Sequence, residues 1–235
     1  MNKLITKKIA VLFKVIMDIK IILSKDGSHT LYREDIDETY HSRHGAIQEA
    51  QHVFIDMGLK EVEKSKKQIN ILEVGFGTGL NALLTCLNCK SKINYIGLEA
   101  IPLKNNVLNG LNYDTTVIGG NPQEIFKSIH NAPWETQYPI TSLFSIQKVE
   151  KEIQKFEITQ PIDVVYYDAF GPNSQAEMWD ISIFEKLYKA MSSSGVFVTY
   201  CAKGQVRRDL KSVGFEIERL EGPPGKREML RGIKL

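Results

Sequence analysis

Apolar residues along the chain come in short runs separated by glycine, proline and polar clusters, and the period of those runs alternates between that of a strand and that of a helix. Ile19, Ile21, Ile22 and Leu23, the turn Lys25-Asp26-Gly27-Ser28, and His29-Thr30-Leu31-Tyr32 predict a hairpin. A polar stretch from Glu38 then leads into an amphipathic helix through Ile55. Ile69, Ile71, Leu72 and Val74 predict a short buried strand, after which Leu80, Leu83, Leu84 and Leu87 recur at helical spacing. Ile93 to Glu99 predicts a second strand, Pro102 to Asn109 a helix, and residues 130–142, with two prolines and Trp134, a loop. Leu143 to Ile146 predicts a third strand and Glu150 to Phe156 a short charged helix. The run Ile162 to Tyr167, apolar except for Asp163, predicts a central strand covered on both faces. A helix over Ile183 to Met191, a strand over Val196 to Tyr200, a basic helix over Lys203 to Val213 ended by Gly214, and a strand over Phe215 to Leu220 follow. The tail from Gly222 to Gly232 closes the fold. The alternation predicts an α/β protein with a doubly wound, mostly parallel sheet.

Two joins in this pattern carry chemistry. Between the strand ending at Val74 and the helix starting at Leu80 lie Gly75, Gly77 and Gly79, which let the backbone turn sharply and approach a ligand closely. The order Glu73-x-Gly75-x-Gly77-x-Gly79 resembles motif I of the S-adenosylmethionine-dependent methyltransferases rather than G-x-G-x-x-G, and no G-K-[ST] follows, which excludes a P-loop. Twenty-six residues past Glu73, Glu99 ends the second strand, where a carboxylate can accept both ribose hydroxyls of a nucleoside. The second join is Asp168-Ala169-Phe170-Gly171-Pro172. Asp168 follows the central strand at its carboxyl end, where parallel sheets bind ligands.

At 235 residues and 43% hydrophobic content the chain suits one large core. It reads as an N-terminal extension, hairpin and cap helix over residues 1–60 and a methyltransferase domain over 61–235, compact as one unit. Three cysteines argue against a disulfide framework and for a reducing cytoplasm. Cys86 and Cys89, inside a helix and without a second pair, read as packing residues. His41, His44 and His52 have no zinc-site spacing, so no metal is expected. The opening residues have charged interruptions at Lys14 and Asp18 and no cleavage site, and residues 1–16 read either as an extension or as a misassigned translation start. No window approaches the ~20 apolar residues of a spanning helix. Net charge is only +2, yet residues 1–33 hold seven basic against two acidic residues and residues 203–235 nine against five. Brought together, these ends would form a surface suited to a phosphate backbone, leaving the acidic middle for a cofactor pocket.

Taken together, Tyr40-His41-Ser42 with His52-Val53-Phe54-Ile55, Gly75-Phe76-Gly77-Thr78-Gly79-Leu80-Asn81, Asp168-Ala169-Phe170-Gly171-Pro172 with Met178-Trp179, Val206-Arg207-Arg208 and Lys226-Arg227-Glu228-Met229-Leu230 resemble one family. It is the MnmC/MnmD transfer-RNA methyltransferases, which act on 5-aminomethyl uridine at the wobble position. The resemblance runs from about Asp26 to the C-terminus. It implies a Rossmann-like class I fold and S-adenosyl-L-methionine as cofactor, with Tyr40, Glu73, Gly75, Phe76, Gly77, Thr78, Gly79, Asn81, Glu99, Asp168 and Ala169 around it. It also implies a transfer-RNA anticodon arm as partner. Two-domain members continue into a flavin-dependent oxidase that exposes the amine. This chain resembles the stand-alone methyltransferase, which needs an upstream enzyme to supply 5-aminomethyl(-2-thio)uridine. Near the third strand, residues 147–152 stand where two-domain members carry a Gly-Asp pair, so no residue there identifies itself as the adenine contact.

A protonated alkylamine has no lone pair to attack a sulfonium methyl, so the site must favour the neutral amine. Asp168 is the candidate that accepts its hydrogen bond or its proton. Tyr40 and Phe170 can wall the reacting groups or stack on the uracil, Arg207, Lys226 and Arg227 are candidate phosphate contacts, and Trp179 reads as a packing residue. Two other readings fit parts of the chain. A small-molecule amine N-methyltransferase leaves the basic tail without a role, and a non-catalytic RNA-binding protein could retain the fold.

Overall fold

The computed structural model describes residues 19–235. The N-terminal extension through residue 18, its alternative start and most of the basic charge assigned to that end lie outside the described residues.

Five strands run parallel at the centre of an eight-stranded sheet: β4 (Gln68–Val74), β5 (Lys92–Glu99), β7 (Phe144–Glu150), β8 (Ile162–Tyr167) and β9 (Met191–Thr199). With β6 (Gln137–Pro139), β10 (Phe215–Glu221) and β11 (Glu228–Lys234), the order is β10-β11-β9-β8-β4-β5-β7-β6. The chain passes from β4 outward to β5 and β7, then returns to β8 on the other side of β4. That reversal is the switch point where open α/β sheets leave a crevice.

Period-two alternation assigns the faces. Ile69, Ile71, Ile93, Tyr95, Val164 and Tyr166 enter one buried cluster, while Leu72, Val74, Ile96, Leu98, Val165 and Tyr167 enter the other. All six residues of β8 are buried, as its mostly apolar run predicts, and the one charged member, Asp163, is held by Lys66 Nζ and the Asn70 amide. On the first face lie α1 (Ala46–Ala50), a nine-residue π-helix Gln51–Leu59 continuing it into α2 (Lys60–Glu63), then α3 (Leu80–Asn88). Beyond α4 (Asn105–Leu108) and α5 (Tyr113–Thr116), α6 (Pro122–Asn131) covers the same face. The second face is covered by α7 (Ile181–Ala190) and α8 (Gly204–Val213).

The predicted hairpin is β1 (Ile19–Leu23) with β2 (His29–Arg33), extended by β3 (Glu38–Thr39) into a separate three-stranded antiparallel sheet. The Asp26 carboxylate at its turn accepts from Ser24, Ser28 and the Gln48 amide, which ties the turn to α1. Leu31 shares a buried cluster with α1 and the sheet, so the hairpin packs on the same core.

Three expectations change. The charged helix over Glu150 to Phe156 is absent: β7 runs on through Gln147-Lys148-Val149, and a turn follows. Lys148 hides the strand in the sequence because it is a buried lysine, donating to His130 O at 2.7 Å and lying over the Trp134 ring. The helix α6 was unforeseen, although Asn121-Pro122-x-Glu124 is a helix-start signature: Asn121 Oδ1 accepts from the Glu124 amide at 3.3 Å. The tail does more than close the fold. Its strand β11 inserts antiparallel between β9 and β10.

Candidate active site

A cavity of about 1130 Å³ opens over the carboxyl ends of β4, β5, β7, β8 and β9. Its floor is the glycine turn. Gly75 has φ 92°, a left-handed backbone, and a Cβ there would lie 2.5 Å from Asp168 O. Gly75 N and Phe76 N both donate to Leu98 O at 3.0 Å, which holds the turn against the end of β5. Gly77, at φ 49°, turns its amide onto Glu99 Oε2 at 2.9 Å, while Ile101 N donates to Glu99 Oε1 at 3.0 Å. Burial raises the Glu99 carboxyl above its ordinary range, against the pull of these amides and of Arg33.

Asp168 follows β8, with its amide on Val74 O at 2.9 Å. The loop after it is held by its carbonyls and side chains: Tyr200 OH donates to Ala169 O at 2.9 Å, Trp179 Nε1 to Phe170 O at 2.7 Å, and Lys203 Nζ to Asn173 Oδ1 at 2.6 Å. Trp179 is buried, as a packing residue should be, and also fixes the loop. Asn81 Nδ2 donates to Asp168 Oδ2 and to Glu73 Oε1, each at 2.8 Å. Burial, then the nearby Glu49 carboxylate, push the Asp168 carboxyl up to about 7, while Asn81 and Lys226 pull it down. That value suits a group which exchanges a proton near neutrality.

Of the expected residues, Tyr40, Gly75, Phe76, Gly77, Glu99, Asp168, Ala169, Phe170 and Lys226 line this cavity. The Tyr40 and Phe170 rings meet edge to face at 5.0 Å. Glu73, Thr78, Gly79 and Asn81 do not line it. Glu73 is wholly buried, accepting from Tyr95 OH at 2.7 Å as well as from Asn81, and so supports the floor from beneath. Arg227 is 94% exposed beside a shallower cavity of about 410 Å³. Arg207 lines neither. Lys226, expected at a phosphate, turns inward and pairs with Glu49 at 2.6 Å.

Sequence reasoning passed over Arg33, Glu49 and Tyr200, all of which line the cavity. Tyr200 could have been found as the polar residue ending a central strand, whereas Glu49 has no local signal. Residues 150–154, after the third strand, also reach the rim, where no adenine contact had been assigned. Among the described residues no group of His, Cys, Asp and Glu could hold a metal ion, and no helix is long and apolar enough to cross a membrane.

Sheet order, glycine floor and the acid after β8 define a class I S-adenosyl-L-methionine-dependent methyltransferase. A family described as "S-adenosyl-L-methionine-dependent methyltransferase" matches residues 127–235. The "tRNA 5-methylaminomethyl-2-thiouridine biosynthesis bifunctional protein MnmC" of Cupriavidus metallidurans is 31% identical over 224 residues, covering 88% of this chain and 33% of that protein. The chain thus spans about a third of the length of the curated relatives it matches. Among solved structures, MnmC2 from Aquifex aeolicus superposes with a TM-score of 0.74 at 24% identity, covering 96% of this chain and 76% of that one. CalS10 with S-adenosylmethionine bound, an amino pentose methyltransferase from Micromonospora echinaspora, superposes at 0.50 and 9% identity, covering 82% and 93%. The chain thus matches that methyltransferase family over residues 127–235 and is similar to MnmC over most of its own length.

Proposed function

We propose that the protein methylates the primary amine of 5-aminomethyl(-2-thio)uridine in transfer RNA, using S-adenosyl-L-methionine. The observation that carries this reading is Asp168, a carboxyl that burial lifts to about 7 and that lines the large cavity over the carboxyl ends of the strands, in a chain similar to proteins of 5-methylaminomethyl-2-thiouridine biosynthesis.

The residues fit the cofactor. At Gly75 a Cβ would collide with Asp168 O at 2.5 Å and at Gly77 one would press on the Tyr40 ring at 3.0 Å, so glycine alone lets this turn pack closely beneath the cavity, and Glu99, at the end of β5, lines the cavity beside it. Gly75, Phe76, Gly77, Glu99 and Ala169 would hold it, with residues 150–154 at the adenine side. When bound, it supplies an electrophilic methyl group. Tyr40 and Phe170 wall off water and present flat faces to a base. Asp168 accepts the amine's hydrogen bond and takes its proton, leaving the lone pair on nitrogen. Arg227, extended into solvent, and Arg207 meet phosphates of the anticodon arm. In this reading the uridine is at the wobble position, an upstream enzyme supplies its aminomethyl group, and the protein works in the cytoplasm.

The test incubates the protein with methyl-labelled cofactor and bulk transfer RNA from a strain lacking the gene, followed by nucleoside analysis. Label in 5-methylaminomethyl uridine supports the reading. Label confined to small amines, or to no product, overturns it.

A further inference from the structure

Lys226 lies in the turn between β10 and β11, and its ammonium points into the cavity. Nζ is 2.6 Å from Glu49 Oε1 and 3.7 Å from the centre of the Tyr200 ring. Glu49 is held from the other side, since Ser42 N donates to its Oε2 at 2.8 Å. Tyr200 in turn donates to Ala169 O, the carbonyl of the residue after Asp168. Three distant parts of the chain, α1, the end of β9 and the last turn, thus put one ammonium against one carboxylate and one ring beside the catalytic loop.

A cation meant for phosphate is best left in solvent, as Arg227 is, 94% exposed and no nearer than 3.9 Å to its Glu228 partner. Lys226 is instead immobilised, which costs side-chain entropy, on a carboxylate whose side chain is only 8% exposed. The cavity explains why. Glu49 and Asp168 both line it, and two carboxylates in a poorly solvated space resist being ionised together unless a cation lies with them.

We propose that Lys226 is a positioning residue of the amine site: paired with Glu49 against Tyr200, it keeps Asp168 in the ionised form that accepts the substrate's proton. The inference rests on the reading of Asp168 as proton acceptor. In the step it serves, an ammonium N–H bond breaks, its electron pair stays on nitrogen, and the proton forms an O–H bond on Asp168, later released to water. The charged or titratable groups facing Asp168 are Glu49 and Lys226 across the cavity and Glu73 behind Asn81. The neighbouring phenols of Tyr95, Tyr113 and Tyr200 are all held neutral by burial. Lys226 is the one cation in that set.

The test titrates the protein without substrate, following the Asp168 carboxyl carbon by NMR in aspartate-labelled protein, assigned by its loss in Asp168→Asn. The parent midpoint is expected at about 7. Lys226→Met should raise it, the direction expected when a nearby opposite charge is removed. Lys226→Arg should leave it in place, and Glu49→Gln should lower it. A midpoint unmoved in Lys226→Met overturns the proposal. Should that variant not fold, an unmoved midpoint in Glu49→Gln does so. Because no substrate is present, this outcome is independent of whether transfer RNA is methylated. In turnover, the acid limb of the rate profile should move with the midpoint, which a merely structural defect would not produce.

Discussion

Asn81 Nδ2 lies 2.8 Å from Asp168 Oδ2, and its other hydrogen serves Glu73 Oε1 at the same distance, so one amide joins the buried acid beneath the glycine turn to the acid that lines the cavity. Burial raises the Glu73 carboxyl well above its ordinary range. Asn81→Leu would leave both acids short of a donor. We expect a loss of about 1–3 kcal/mol in stability, the usual cost of orphaning a buried polar group, measured by urea unfolding. The midpoint of Asp168 should rise as well.

Asp168→Asn should lower the single-turnover methyl-transfer rate by roughly a hundredfold to ten-thousandfold, the range for losing a general base. In the parent, the rate should climb as pH rises through about 7, where Asp168 ionises. The variant should lack that limb.

The same substitution should separate activity from stability. In the fold Asp168 holds its proton up to about 7 against an ordinary 3.8, so between those values the folded chain binds more protons than the unfolded one. Stability contributed by this group therefore falls as pH rises through that window and stays low above it. Asp168→Asn is expected to be more stable than the parent at alkaline pH, and the advantage should shrink toward pH 4. Urea unfolding at both ends of the window checks the sign.

Glu99→Ala removes the acceptor for the Gly77 and Ile101 amides and the carboxylate at the end of β5. Cofactor affinity by calorimetry should drop, and Glu99→Gln should fall between the variant and the parent because it keeps one acceptor oxygen. Unchanged affinity in Glu99→Ala would remove Glu99 from the cofactor site.

Arg227→Gln should leave folding and cofactor affinity intact, since the side chain is 94% exposed. Transfer-RNA binding should weaken across sequences, and the slope of its logarithm against salt should fall by about one, as expected when one phosphate contact is lost. A salt slope equal to the parent's would leave Arg227 without a nucleic-acid role.

The sheet's core strands could be read from the chain because their burial is local. Ile69–Val74 and Ile162–Tyr167 are mostly apolar stretches whose neighbours in sequence already announce turns, and three glycines at a strand-to-helix join leave few alternatives to a ligand-binding turn. Asp168 and Glu99 were visible for the same reason: each ends such a run, and parallel sheets put their ligands there. The tertiary structure decided what depends on partners far away in sequence. Lys148 reads as a surface lysine until His130 O and the Trp134 ring accept it inside the sheet. Glu73 reads as a ligand contact until Tyr95 and Asn81 claim both its oxygens. Lys226 reads as a phosphate contact until Glu49, 177 residues away, turns it inward. A charge's role is set by the counter-charge and the solvent it meets, and neither is written in its own stretch of chain.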